Sequence, residues 1–121
     1  LFHHYGGKIS NPESFSGYQS YRRADYGTDP LAYPATGGRY FNEAALTVEY
    51  ADSDWNTELS YVSHEQENIQ TNVTRTKIHM SDNVKDLNVI LVYDAYWDSD
   101  VIVCHSEISN NGKKDIILRN F

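Results

Sequence analysis

Tyr93–Leu118, YDAYWDSDVIVCHSEISNNGKKDIIL, decides the fold class. An aromatic-rich strand runs into the acidic turn Asp98-Ser99-Asp100. The β-branched run from Val101 to Ser109 returns, Asn110-Asn111-Gly112 supplies a second turn, and Asp115–Phe121 forms another apolar strand. Asn and Gly tolerate the left-handed backbone that a hairpin turn needs. Upstream, Leu87–Trp97 is apolar on both alternating faces, which predicts a central strand covered on both sides.

Working outward, Val73–Met80 alternates, and Ser81–Asp86 turns the chain. Ala45–Tyr50 and Thr57–Glu65 also alternate, and ADSDWN between them predicts that they pair as a hairpin. Gln66–Thr71 is polar and reads as a loop, and Leu1–Ile9 as a short strand weakened at Gly6-Gly7. No segment carries a helical stripe. About seven short strands with turn punctuation predict an all-β antiparallel sandwich or open barrel without substantial helix. Residues 10–42 keep neither strand nor helix period and scatter Phe15, Tyr18, Tyr21, Tyr26, Tyr33, Tyr40 and Phe41 among turn formers. A loop of roughly 30 residues inside a compact domain is usually functional or forms an interface.

The 121 residues suit one domain or a piece of one. A net charge of −7, with no basic run longer than two, argues against phosphate backbones and anionic membranes as partners. No stretch approaches the roughly 20 apolar residues of a membrane span. The chain opens at LFHHYGG and stops at ILRNF, both of which read as cut edges of a larger protein. The single Cys104 forbids an internal disulfide and, inside VIVCHSEI, reads as a small buried hydrophobe.

Chemistry-bearing patterns are sparse. Asp98 and Asp100 flank a turn, where Asp commonly caps the backbone. His3 and His4 are neighbours on a strand and point to opposite faces, and His64, His79 and His105 fall on different strands. Zinc-type spacings, a nucleophile elbow and a phosphate loop are absent, so no catalytic residue, metal site or cofactor is assigned. Asn72-Val73-Thr74 fits a glycosylation triplet, a pattern that also arises by chance.

Three ordered blocks resemble the N-terminal domain of family 36 glycoside hydrolases, the bacterial α-galactosidases. Leu1, His3, Tyr5, Gly7, Lys8 and Ile9 match its opening strand, with Gly6 where a bulky aromatic is common. Tyr33, Pro34, Gly37 or Gly38, Phe41, Ala45, Leu46, Ser63, His64 and Glu65 match the second block. Tyr93, Asp100, Val101, Ile102, Asn110, Asn111, Gly112 and Lys113 match the third. Two stretches depart: Ser10–Tyr33 differs from a longer, variable insertion, and Glu67–Thr74 lacks a Gly-Leu-Pro-like segment.

The resemblance implies that residues 1–121 are the first part of a larger, non-catalytic β-supersandwich preceding a (β/α)8 barrel. The barrel would carry both carboxylates of a retaining hydrolysis of terminal α-galactosyl groups. The implied partners are that barrel, further copies of the enzyme and, through the parent, galactosides. The implied compartment is the bacterial cytoplasm or periplasm. The resemblance also suggests a substrate-binding role for the loop residues Tyr18, Tyr21, Asp25 and Tyr26, reaching a neighbouring subunit's active site. Packing on the barrel or on the rest of the domain is the plainer alternative. A separate reading is a free-standing carbohydrate-binding module with Tyr18, Tyr21, Tyr26 and Tyr33 as its platform. Unpaired strand edges in such a piece predict self-association through its sheets.

Overall fold

The computed structural model describes residues 31–37 and 43–121. Six strands follow in order: β1 Thr47–Tyr50, β2 Ser60–Gln70, β3 Val73–Asp82, β4 Leu87–Tyr96, β5 Val101–Asn110 and β6 Ile116–Asn120. No helix occurs among the described residues. The expected strand Leu1–Ile9 and most of the 10–42 loop lie outside them.

β2, β3, β4 and β5 form an antiparallel meander in that order, so β4 is an inner strand as its two apolar faces require. Its connections use residues that reach the left-handed region with a polar side chain in place of glycine. Asn72 has φ 62°, Asp86 54° and Asp100 52°. Asp82 caps the β3–β4 turn: its Oδ1 accepts from the Val84 and Lys85 amides at 3.0 and 3.1 Å.

β1 pairs antiparallel with β6, and the two make a separate sheet. The hairpin expected between Ala45–Tyr50 and Thr57–Glu65 therefore does not form. The chain does turn after Tyr50, where the Ser53 amide donates to the Tyr50 carbonyl at 2.9 Å. The alternation of Leu46, Val48 and Tyr50 is then satisfied by a strand some 70 residues away, in a pairing that local turn signals cannot announce. For the same reason Asn110-Asn111-Gly112 is a passage between sheets and not a hairpin, and none of the three has positive φ. Asn110 serves it through its side chain: Oδ1 accepts from the Gly112 amide and Nδ2 donates to the Lys114 carbonyl.

Gln66–Gln70, expected in a loop, continues β2, and its residues pair with Val73–Thr76. β2 is an edge strand almost wholly in solvent, so no buried face imposes an apolar alternation on it. Cys104 is exposed, against the expectation of a buried thiol. β5 is the other edge, and Val101, Ile102 and Val103, on alternating faces, are 48, 49 and 48% exposed. β-branched composition marks the strand but does not bury it.

The core is the contact between the two sheets. Leu46, Val48 and Tyr50 pack against Leu87, Val89 and Leu91 of β4, ringed by Tyr33, Ala35, Leu59, Ile78, Met80, Ile108, Ile116 and Leu118. Leu46, Val48, Leu87 and Val89 are fully buried. Leu87→Ala should lower unfolding free energy by about 2–5 kcal/mol, the cost of lost burial plus the cavity left. Urea denaturation of the two proteins checks it. The exposed Val84→Ala should shift the midpoint by less than about 0.5 kcal/mol.

Candidate functional site

Antiparallel register assigns every side chain of the four-stranded sheet to a face. One face carries Leu87, Val89, Leu91, Tyr93 and Ala95 of β4. Beside them stand Thr74, Thr76, Ile78 and Met80 of β3, Tyr61, His64, Gln66 and Asn68 of β2, and Ile102, Cys104, Ser106 and Ile108 of β5. The core covers the Leu87–Leu91 half. The half beyond it, toward the β2–β3 and β4–β5 turns, carries no Lys, Arg, Asp or Glu. The opposite face carries Glu65, Glu67, Arg75, Lys77, His79, Asp94, His105 and Glu107 around Ile90 and Val92.

The charged face is tied together by ion pairs. Asp94 is buried, and Arg75 closes on it with Nε and Nη2, each at 2.7 Å. These hydrogen bonds hold the Asp94 carboxyl below its ordinary range and raise the Arg75 guanidinium further. Lys77 and His79 both approach Glu65, at 3.5 and 3.6 Å, and His105 approaches Glu107 at 3.6 Å.

A second polar cluster ties β1 to the β3–β4 turn. Lys85 Nζ lies 2.5 Å from Asp54 and 4.6 Å from the centre of the Tyr50 ring. The Lys85 hydrogen bond depresses the Asp54 carboxyl. Burial pushes the Tyr50 phenol up, although the Thr57 hydroxyl, 2.9 Å away, opposes the shift. Gly37 (φ 117°) lies against this cluster, where a Cβ would sit 2.8 Å from the Thr57 amide nitrogen.

These positions account for the carboxylates and histidines considered from sequence, except His3 and His4, which lie outside the described residues. Asp94 is committed to Arg75, Asp98 accepts both bonds of the Asn72 amide at 3.0 and 2.9 Å, and Asp100 occupies a turn. His64 faces the core side and meets the Tyr61 hydroxyl at 2.7 Å, while His79 and His105 face the other way. No cluster of metal-ligating side chains occurs among the described residues. Tyr18, Tyr21, Asp25 and Tyr26 lie outside them. Tyr33 is half-buried against the core and its hydroxyl donates to Ser106 Oγ at 3.2 Å, so it serves as a packing residue and not as a stacking platform.

One cluster escaped the sequence reading. The Trp97 amide donates to the Asn72 carbonyl, and its indole Nε1 donates to Thr74 Oγ1, both at 2.9 Å. Thr74 Oγ1 donates onward to Asn68 Oδ1 at 3.0 Å. The turns that end β2 and β4 are thereby bound side by side. The triplet Asn72-Val73-Thr74 stands out in the sequence only as a glycosylation pattern that also arises by chance, and nothing in it points to this cluster.

Two antiparallel sheets closing on one apolar core define the class, a β-sandwich domain. The description "Glycosyl hydrolase family 36 N-terminal domain" matches residues 1–121, and the chain belongs to that family as this domain. Among solved structures it is similar to the α-galactosidase AgaA of Geobacillus stearothermophilus in complex with 1-deoxygalactonojirimycin. That likeness has a TM-score of 0.79 and 20% identity, over 95% of this chain and 20% of that one. AgaB of the same organism gives 0.67 and 24%, over 73% and 14%. The α-galactosidase of Lactobacillus brevis gives 0.64 and 20%, over 73% and 14%. The chain thus spans a fifth or less of these proteins. No curated protein sequence gives a significant match.

The Arg75–Asp94 pair makes a pH prediction. A carboxyl depressed in the fold contributes stability that is complete above its unfolded value, about 3.9, and is lost as pH falls through the folded value. Asp94→Asn should therefore be less stable than the parent chain at neutral pH. The gap should close as pH falls below about 4. Urea midpoints measured from neutral to acid pH check it.

Proposed function

We propose that this chain is the opening, non-catalytic part of the N-terminal β-sandwich of an α-galactosidase. Its role is to support a catalytic barrel carried elsewhere in the same polypeptide and to contribute to subunit contacts. The observation that carries this reading is the family match over all 121 residues, in a chain spanning 14–20% of structural relatives described as α-galactosidases.

The geometry agrees with a supporting role. The buried Asp94 is neutralised by a cation that binds it, and the buried Asp82 caps a turn. Both carboxylates are engaged in holding the fold. A retaining glycosidase needs a nucleophile and an acid/base about 5 Å apart across a sugar-binding pocket. On this reading both stand in the barrel. The half-exposed Val101–Val103 run of β5 is a surface on which the remainder of such a domain would pack.

The parent should release galactose from a chromogenic α-galactoside, and the purified 121-residue chain should release none. Turnover by the pure chain, or an inactive parent, overturns the reading. Within the same proposal, Tyr18, Tyr21, Asp25 and Tyr26 approach the substrate pocket of a neighbouring subunit. Tyr26→Ala in the parent should then raise KM about tenfold, equivalent to roughly 1.4 kcal/mol of lost binding, with its oligomeric state intact. Steady-state kinetics with light scattering checks it, and an unchanged KM would return these residues to a packing role.

A further inference from the structure

We propose that the paired hairpin tips around Trp97 form a surface site for a neutral oligosaccharide, separate from any catalytic pocket. Trp97 is 65% exposed, yet it is fixed at both ends, by its backbone amide on Asn72 and by its indole Nε1 on Thr74. A clasp between two turns needs only those N–H groups. It does not need a large ring face held rigidly in water. A pre-oriented, exposed aromatic face is what a sugar's C–H face stacks against, because it has little ordering entropy left to lose.

The surroundings select the ligand class. Asn68 spends its Oδ1 on Thr74, and its amide NH2 makes no bond among the described residues, leaving two donors beside the ring. Asp98, next to Trp97 in the β4–β5 turn and oriented by the Asn72 amide, presents exposed carboxylate oxygens. A planar donor and a planar acceptor near an aromatic platform match the hydroxyls at a sugar's rim. The adjacent half of the sheet face is uncharged, whereas Asp98 would repel an anion. The ligand is therefore a neutral glycan and not a phosphosugar, an acidic polysaccharide or a nucleic acid.

Choosing a galactose-bearing polymer as probe rests on the function proposed above, but the site itself does not. Full-length parent protein should be retarded in native gels containing galactomannan or another neutral polysaccharide. Trp97→Ala should weaken that retardation about tenfold. Its kcat/KM on a small chromogenic galactoside should stay unchanged. Asn68→Ala, which alters an exposed side chain of an edge strand and retains Thr74 as the acceptor of the indole N–H, should also weaken retardation. No retardation of the parent in any neutral gel overturns the site, as does equal retardation of Trp97→Ala. Loss of the native oligomer in Trp97→Ala with unchanged retardation would show that protein covers the ring, and also overturns it. An inactive parent that is still retarded through Trp97 would sink the galactosidase reading and leave this site standing.

Discussion

The contact of Leu46, Val48 and Tyr50 with Leu87, Val89 and Leu91 is the constraint on which the structure depends. A four-stranded meander has two faces and could bury either. β1 and β6 cover one half of one face, and this fixes which residues of β3, β4 and β5 turn inward. Register has period two, so a one-residue slip of β4 would exchange Val89 and Leu91 for Ile90 and Val92 and turn Asp94 to the other face, away from Arg75. The ion pair and the apolar core therefore enforce one register from opposite faces. Burying an apolar row rewards it. Parting the Asp94 carboxylate from the Arg75 guanidinium would penalise the alternative.

Where burial follows local pattern, the sequence is readable. β3, β4 and β5 fall within a residue or two of their expected ends because β4 is inner and apolar on both faces. The turns at Asp98–Asp100 and Ser81–Asp86 sit where Asp caps backbone amides or accepts a left-handed φ. Reading fails where the cause is distant. Nothing in Thr47–Tyr50 tells that Ile116–Asn120 lies beside it, and the plausible turn after Tyr50 points to the wrong partner. It fails again where the cause is absent. Gln66–Gln70 is strand without a core to face, and Cys104 has hydrophobic neighbours in sequence but an edge strand for a backbone.

The candidate site was legible only through resemblance. No spacing in Tyr18–Tyr26 specifies a substrate, and the role proposed for those residues comes from the family resemblance alone. Trp97 illustrates the opposite limit. Its importance arises from a hydrogen bond to Thr74, 23 positions away, and through it to Asn68. Propensity and period describe neighbours in the chain. A cluster built across two hairpin tips becomes visible once the register sets those tips side by side.

That register also explains why a binding surface can stand at the tips without endangering the fold. The core lies under the Leu87–Leu91 half of β4, and Trp97 lies beyond the strand's other end. Between them the sheet is held by backbone pairing, by the Arg75–Asp94 pair on the opposite face and, on the uncharged face, by neutral side-chain pairs such as Gln66–Thr76. Stability concentrates at one end and recognition at the other, so substitutions in the two should act almost independently, as sites without shared partners do. Charge divides the sheet in the second direction. Every Lys, Arg and Glu of its strands, together with Asp94, lies on the opposite face, where ion pairs already engage Arg75, Lys77 and Glu65. A neutral ligand meeting the uncharged half displaces water from hydroxyls and amides, at far lower desolvation cost than it would meet among those ions.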